Sequence, residues 1–194
     1  MEPAHYCAGF FVDKQMLLLY LFVNDMLMLK NVERLRNLVK NGCVTHTGRF
    51  HADDILSAAL LKIVGIISDF SVIKRVERVP SEFNGLAFDI GEGEFDHHQS
   101  DARVRAGGDK YAAFGLLWNA IGVEYIMEKY QTDEQTAMQV AEKFDADFVI
   151  PMDLTDNFGQ KKHPNTLSYL IAFMNDDKSK SADDLFKDMV NYYC

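Results

Sequence analysis

The chain has 194 residues, a formal net charge of -9, 48% hydrophobic residues and 25% charged ones. That composition suits a globular protein, either one domain with its own core or one domain plus part of a second, and excludes a disordered or fibrous chain. The negative charge excludes a generic basic nucleic-acid binder, because phosphate contacts need clustered Lys and Arg. A nucleotide or nucleic-acid substrate stays open, since divalent cations bound among carboxylates reverse the local field.

The most apolar stretch, Met16 to Val23, is flanked by Asp13, Lys14 and Gln15 and by Asn24 and Asp25. It is too short for a membrane span, which takes roughly 20 apolar residues, and no small-residue cleavage site follows it. No membrane association is expected. Cys7, Cys43 and Cys194 are odd in number, far apart and form no Cys-x-x-Cys pair, which points to a reducing, cytoplasmic setting without thiolate zinc.

In chain order, residues 1–40 read as a helical extension packed outside the core or used in a homodimer contact. It ends in the amphipathic segment Lys30 to Lys40, with Asn41-Gly42 as the stop. Cys43 to His46 is a short β-like run closed by Thr47-Gly48. Asp54 to Ile67 has helical periodicity, with Ile55, Ala58, Ala59, Leu61 and Ile63 on its apolar face. Ser71 to Val79 and Gly85 to Ile90 read as strands. Together these predict an α/β sandwich with a largely parallel sheet flanked by helices. Tyr111 to Ala120 is predicted helical, beginning near Gly107-Gly108. Thr132 to Asn157 follows, with a capping box of Thr132 and Gln135 and a kink at Pro151. Leu167 to Met174 and Ser181 to Tyr193 complete the helices.

Four of the six histidines lie in two short segments dense in aspartate. The first is His46-Thr-Gly-Arg-Phe-His51-Ala-Asp53-Asp54. Its histidines are five apart, which is wrong for one helical face, so they converge only if Thr47 to Phe50 loops back. Asp53 and Asp54 fall in the first turn of the next helix, where the dipole favours carboxylates. Asp54 serves there either as a cap or in the chemistry. The second segment is Asp89-Ile-Gly-Glu-Gly-Glu-Phe-Asp96-His97-His98-Gln99. Asp89 follows the apolar run Leu86 to Phe88 and so sits at the carboxyl edge of a strand, where α/β sheets bind ligands. Gly91 and Gly93 let the chain reverse toward it. Carboxylates with several imidazoles suit Mn²⁺, Mg²⁺ or Zn²⁺. Adjacent histidines cannot both present the same geometry to one ion. One is expected to be a ligand, and the other to face substrate phosphate or transfer a proton.

Asp96-His97-His98 is the signature triplet of the DHH phosphoesterase superfamily. The wider pattern resembles the branch named after the melanocyte proliferating gene product, a family assigned to metal-dependent hydrolysis. Its segments are matched from Thr45 to Asp54, at Asp89 to Gly91, at Asp96 to Gln99, from Tyr111 to Trp118 (Tyr-Ala-Ala-Phe-Gly-Leu-Leu-Trp), and at Asp153-Leu-Thr-Asp156-Asn157. The likeness is strong over residues 43–160 and weak in the tail. It implies a site for one or two divalent ions, Mn²⁺ foremost, with Asp53 and Asp89 bridging or shared. His46, His51 and His97 supply imidazoles, and Asp153 or Asp156 closes the shell of the second ion from one helix face. His98 steers or protonates the leaving group. Arg103, Arg105 and Lys110 either grip phosphate oxygens or belong to a solvated loop. The resemblance divides the chain into the extension, a DHH-like catalytic domain over 41–160, and terminal helices over 161–194. The family's second domain is then largely absent, and the loop from Asp89 to Asp96 is short. The expected activity is phosphoester hydrolysis on a small phosphate-containing substrate or RNA. The alternative is a non-catalytic metal-binding or regulatory module.

Overall fold

The computed structural model describes residues 31–193. The proposed extension over 1–40 therefore lies outside the described residues, apart from its last turns. These form α1, Asn31–Val39, which buries Val32 and Leu35. The Val32 N–H is capped from a distance by Glu124 Oε2 at 3.0 Å.

The architecture is α/β, as expected, with a small parallel sheet of three strands: β1 (Cys43–His46), β2 (Ile73–Val76) and β3 (Leu86–Ala87). Their order is β2-β1-β3, so the chain runs from β1 to one side and then crosses back to place β3 on the other. The crevice at the carboxyl end of β1 is thus a topological switch point. β1 is covered on both faces, with Cys43, Val44 and Thr45 buried. Burial pushes the Cys43 thiol up to about 12, which makes it an inert core residue.

Helix α2, Ala52–Ile63, is apolar nearly all round, and every residue from Ala52 to Leu61 is buried. It ends four residues earlier than its periodicity predicts. The N–H groups of Gly65 and Ile66 turn back to the carbonyls of Lys62 and Leu61 and stop it. The predicted strand over Ser71 to Val79 shortens to β2, preceded by a 3₁₀ turn at Phe70–Val72. β3 is shorter than the predicted Gly85 to Ile90 because Asp89 takes a left-handed backbone (φ 54°) and turns the chain out of the ladder.

Helix α3 runs Ala113–Tyr130, longer than predicted. Residues from Arg103 to Lys110 form a loop closed by a Val104–Lys110 bridge instead of feeding the helix. α4 is Glu134–Phe144, capped by Asp133 rather than Thr132, with the Asp133 carboxylate accepting from Thr136 N at 2.9 Å. A π-helical turn, Asp145–Val149, joins α4 to α5, Ile150–Phe158. The expected disturbance at Pro151 takes this form. A proline ring clashes with the carbonyl four residues back, and a wider turn removes the conflict. α6 (Thr166–Met174) and α7 (Ala182–Tyr192) close the described chain, and Ile171, Leu185, Phe186, Met189 and Val190 join the same core as α2. Among the described residues no helix is long and apolar enough to cross a membrane.

The amino end of α3 is gripped by two carboxylates. Asp53 accepts from Ala113 N (2.9 Å) and Phe114 N (2.7 Å), and Asp153 of α5 accepts from Gly115 N (3.2 Å). Asp153 is buried and held on its other side by Arg105 Nη2 at 2.8 Å. A Cβ at Gly115 would stand 1.9 Å from Asp153 Oδ2 and 2.8 Å from Arg105 Nη2. Gly115→Ala gains about 1 kcal/mol of helix propensity, whereas overpacking costs about 1–3 kcal/mol or more when neighbours cannot yield. The clash wins. G115A is expected to lower the midpoint of urea unfolding at unchanged slope, and an unchanged or raised midpoint would show that Asp153 is free to move.

Candidate metal centre

The candidate site assembles at the carboxyl edge of the sheet. β1 ends in His46, the turn after it leads into α2 with Asp53 and Asp54, the chain after β3 delivers Asp89 and the returning loop His97 and His98, and α5 contributes Asp156. Both aspartates of α2 are inside. Asp54 Oδ1 accepts from His51 N at 2.9 Å, capping the helix, while its Oδ2 lies 3.1 Å from His46 Nε2. The capping role is thus present in one oxygen, and the other oxygen is left facing His46.

Three overlapping groups have ligand atoms close enough to share a cation: His46, Asp54 and Asp89; Asp53, His97 and Asp156; and Asp89, His97 and His98. Asp89 links them. Its Oδ2 is 3.1 Å from His46 Nε2, and its Oδ1 is 3.2 Å from His97 Nε2. His97 Nε2 also lies 3.3 Å from Asp156 Oδ2 and 3.7 Å from Asp53 Oδ2. Both histidines are oriented from behind. His46 Nδ1 sits 2.7 Å from the Thr47 carbonyl, and His97 Nδ1 sits 3.4 Å from Asn157 Oδ1. These contacts place the proton on Nδ1 and aim Nε2 at the carboxylates, as metal-binding imidazoles require. Asn157 is steadied in turn by donating to the carbonyls of Tyr111 (3.0 Å) and Asp153 (2.9 Å).

The donor set fits a cation. Asp53, Asp54 and Asp89 are 2% exposed or less, and among the described residues no Lys or Arg pairs with them. Asp54 Oδ2 is buried without a hydrogen-bond donor of good geometry. Buried carboxylates without compensation are costly, and a divalent ion supplies the missing charge. Without one, burial and the neighbouring carboxylates push Asp53 well up, and Asp54 and Asp156 shift in the same direction. Burial also opposes ionisation of Asp89, but its contacts with His46 and His97 prevail and hold it at about 2. Burial likewise opposes the His46 imidazolium, yet Asp54 and Asp89 outweigh it and raise the group to about 11.

The remaining expected residues fall outside this centre. His51 is half exposed, with Nδ1 3.7 Å from Asp156 Oδ1, and joins none of the three groups. Asp153 projects from the same helix as Asp156, but Arg105 and Gly115 N occupy its oxygens. Arg105 is buried rather than presented to phosphate: it pairs bidentately with Asp145 at 2.8 and 2.7 Å and lies over the Tyr111 ring. Arg103 also faces Tyr111, and Lys110 serves the Arg105 guanidinium through its carbonyl. None of these three lines the cleft that opens onto His46 and Asp89.

Three arginines that the sequence reading passed over matter more. The side chain of Arg75, in β2, is buried and donates to the carbonyls of His46 (3.2 Å) and Gly48 (2.7 Å) and to Asp183 of α7 (3.0 Å), so it clamps the turn that follows His46. Arg49 and Arg78 line the cleft itself. An arginine after a strand carries no local signal of such a role.

A family model, MYG1_exonuc, described as an uncharacterised protein family (UPF0160), matches residues 42–191, which include every residue of the centre. The chain belongs to the MYG1 family. It is 27% identical over 133 residues to the MYG1 protein of Dictyostelium discoideum, covering 63% of this chain and 40% of that protein. It is 28% identical over 134 residues to MYG1 protein C694.04c of Schizosaccharomyces pombe, covering 63% and 41%. The match thus spans about two-fifths of the length of these MYG1 relatives. No solved structure matches the chain.

Because the His46 pKa is raised, its ion pairs stabilise the metal-free fold fully below pH 6.5, and that contribution is lost as pH climbs through about 11. A cation needs the bare nitrogen and must displace that proton. Mn²⁺ uptake near neutral pH is therefore expected to release protons, and affinity to rise with pH. Calorimetry in buffers of different ionisation enthalpy measures this. His46→Ala is expected to lower the release by about one proton, and an unchanged count would remove His46 from the shell.

Proposed function

We propose that the cluster is the centre of a DHH-type, cation-dependent hydrolase that cleaves a phosphoester in a nucleotide or RNA. Mn²⁺ is the first choice of cation, with Mg²⁺ or Zn²⁺ as alternatives. The observation that carries this reading is the position of Asp89 between two donor sets. One oxygen faces His46 and the other faces His97, beside Asp54 and beside Asp53 with Asp156. Such a layout suits two cations sharing one carboxylate. The Asp96-His97-His98 triplet and the exonuclease label of the matching family model support it.

Cations held there supply Lewis-acid polarisation of the phosphoryl group and an acidified water. The protein's own residues hold and orient. Asp53 is fixed by the amino end of α3, His46 by the Thr47 carbonyl and His97 by Asn157, so the donors are set before substrate arrives. Asp96 accepts from the N–H groups of Glu92 (2.6 Å) and His97 (2.7 Å) and closes the short loop rather than joining a donor group. Its Oδ1 also lies 2.6 Å from His98 Nδ1. That contact fixes the His98 tautomer on an exposed ring, leaving Nε2 to exchange a proton with the leaving group.

Chain purified and loaded with Mn²⁺ is expected to hydrolyse bis-p-nitrophenyl phosphate. Asp89→Asn and His97→Ala should each lower kcat/KM by about a hundredfold or more, the scale of losing a group that acts in the transition state. Activity that survives both substitutions would refute the assignment. Stoichiometric metal with no turnover on diesters, nucleotides or RNA would instead leave a metal-binding module.

A further inference from the structure

The cleft above the centre is larger than one phosphate requires. It is an open space of about 790 Å³, lined by His46, Asp89 and His98 of the centre and also by Arg78. Arg78 follows β2, so it rises from the same carboxyl edge as His46 and Asp89, at the strand beside the switch point. Its place relative to the centre is fixed by packing. Gly91, in the loop after Asp89, approaches Val79 so closely that a Cβ would stand 2.6 Å from Val79 Cγ2. The segment carrying Arg78 is therefore seated against the loop carrying Asp89.

Arg78 is exposed, and its side chain forms no ion pair or hydrogen bond with any described residue. The other arginine of the cleft, Arg49, is already committed to Asp176 at 3.1 Å and to the Ala172 carbonyl at 3.3 Å. Glu77 and Glu92 share the lining, so the cleft is no general basic patch. Its attraction for a second anion is concentrated at one guanidinium, whose planar fork suits phosphate.

The geometry points to Arg78 as a subsite for a second, non-scissile phosphate carried by the substrate. This rests on the phosphoesterase reading of the neighbouring cluster. The added phosphate gives binding energy without taking part in bond breaking, so it acts mainly through KM.

The test uses the Mn²⁺-loaded chain and two probes: thymidine 5′-(p-nitrophenyl phosphate) and the same compound carrying a 3′-phosphate. The 3′-phosphate is expected to raise kcat/KM by about tenfold, the size of one charge-assisted contact discounted for exposure. Arg78→Gln should bring the ratio for the two probes close to one, and Arg78→Lys should restore part of it. No preference in the original chain, or a preference untouched by R78Q, would overturn the subsite while leaving the hydrolase reading standing. If neither probe is cleaved and bis-p-nitrophenyl phosphate, nucleotides and RNA are untouched as well, the hydrolase reading fails. Calorimetric binding of thymidine 3′,5′-bisphosphate against thymidine 5′-monophosphate then decides the subsite. R78Q must weaken the bisphosphate selectively, and equal weakening of both would reduce Arg78 to diffuse electrostatics.

Discussion

Carboxylates gathered out of water repel one another and resist ionisation, and that tension governs the structure at the carboxyl edge of the sheet. Asp53, Asp54 and Asp89 are interior residues, with Asp156 close by, and among the described residues the chain pairs no lysine or arginine with them. What it supplies is orientation. Backbone N–H groups of α3 hold Asp53, the first turn of α2 holds Asp54, and imidazoles face the rest. A fold stabilised only by burying apolar surface gains nothing from such an arrangement. A fold that recovers the cost when a cation enters does.

Positive charge is spent elsewhere in the interior. Arg105 neutralises Asp145 and Asp153, and through Asp153 it supports the amino end of α3, the same helix end that positions Asp53. The π-helical turn brings Asp145 to this guanidinium, so the irregularity forced by Pro151 contributes a structural ion pair. The two acidic sets next to one another thus differ in how they are compensated, one by arginine and one by histidine.

Much of this was legible from local pattern. The run Cys43 to His46, the turn at Thr47-Gly48 and the apolar face after Asp54 mark β1 and α2, and the motif order marks the family. Asp53, Asp54, Asp89, His46 and His97 all came from segments whose composition is hard to explain otherwise. What sequence could not resolve is which of two equivalent positions wins a distant partner. Asp153 and Asp156 are one helical turn apart and share a face, and the choice between them is made by Arg105, which arrives from a loop nearly fifty residues away. The same holds for the loop from Arg103 to Lys110, whose charges look solvent-facing until Asp145 and Tyr111 are in place. Strand ends failed for a local reason, since nothing in the residue type announced the left-handed turn at Asp89.

The clamp made by Arg75 gives the final helix an unexpected importance. One guanidinium spans the turn after His46 and the first turn of α7, and it packs against Phe186 of that helix. More than a hundred residues separate the two ends of this brace. Unfolding of α7 would slacken the turn that presents the imidazole, so the integrity of that helix is transmitted to the candidate centre.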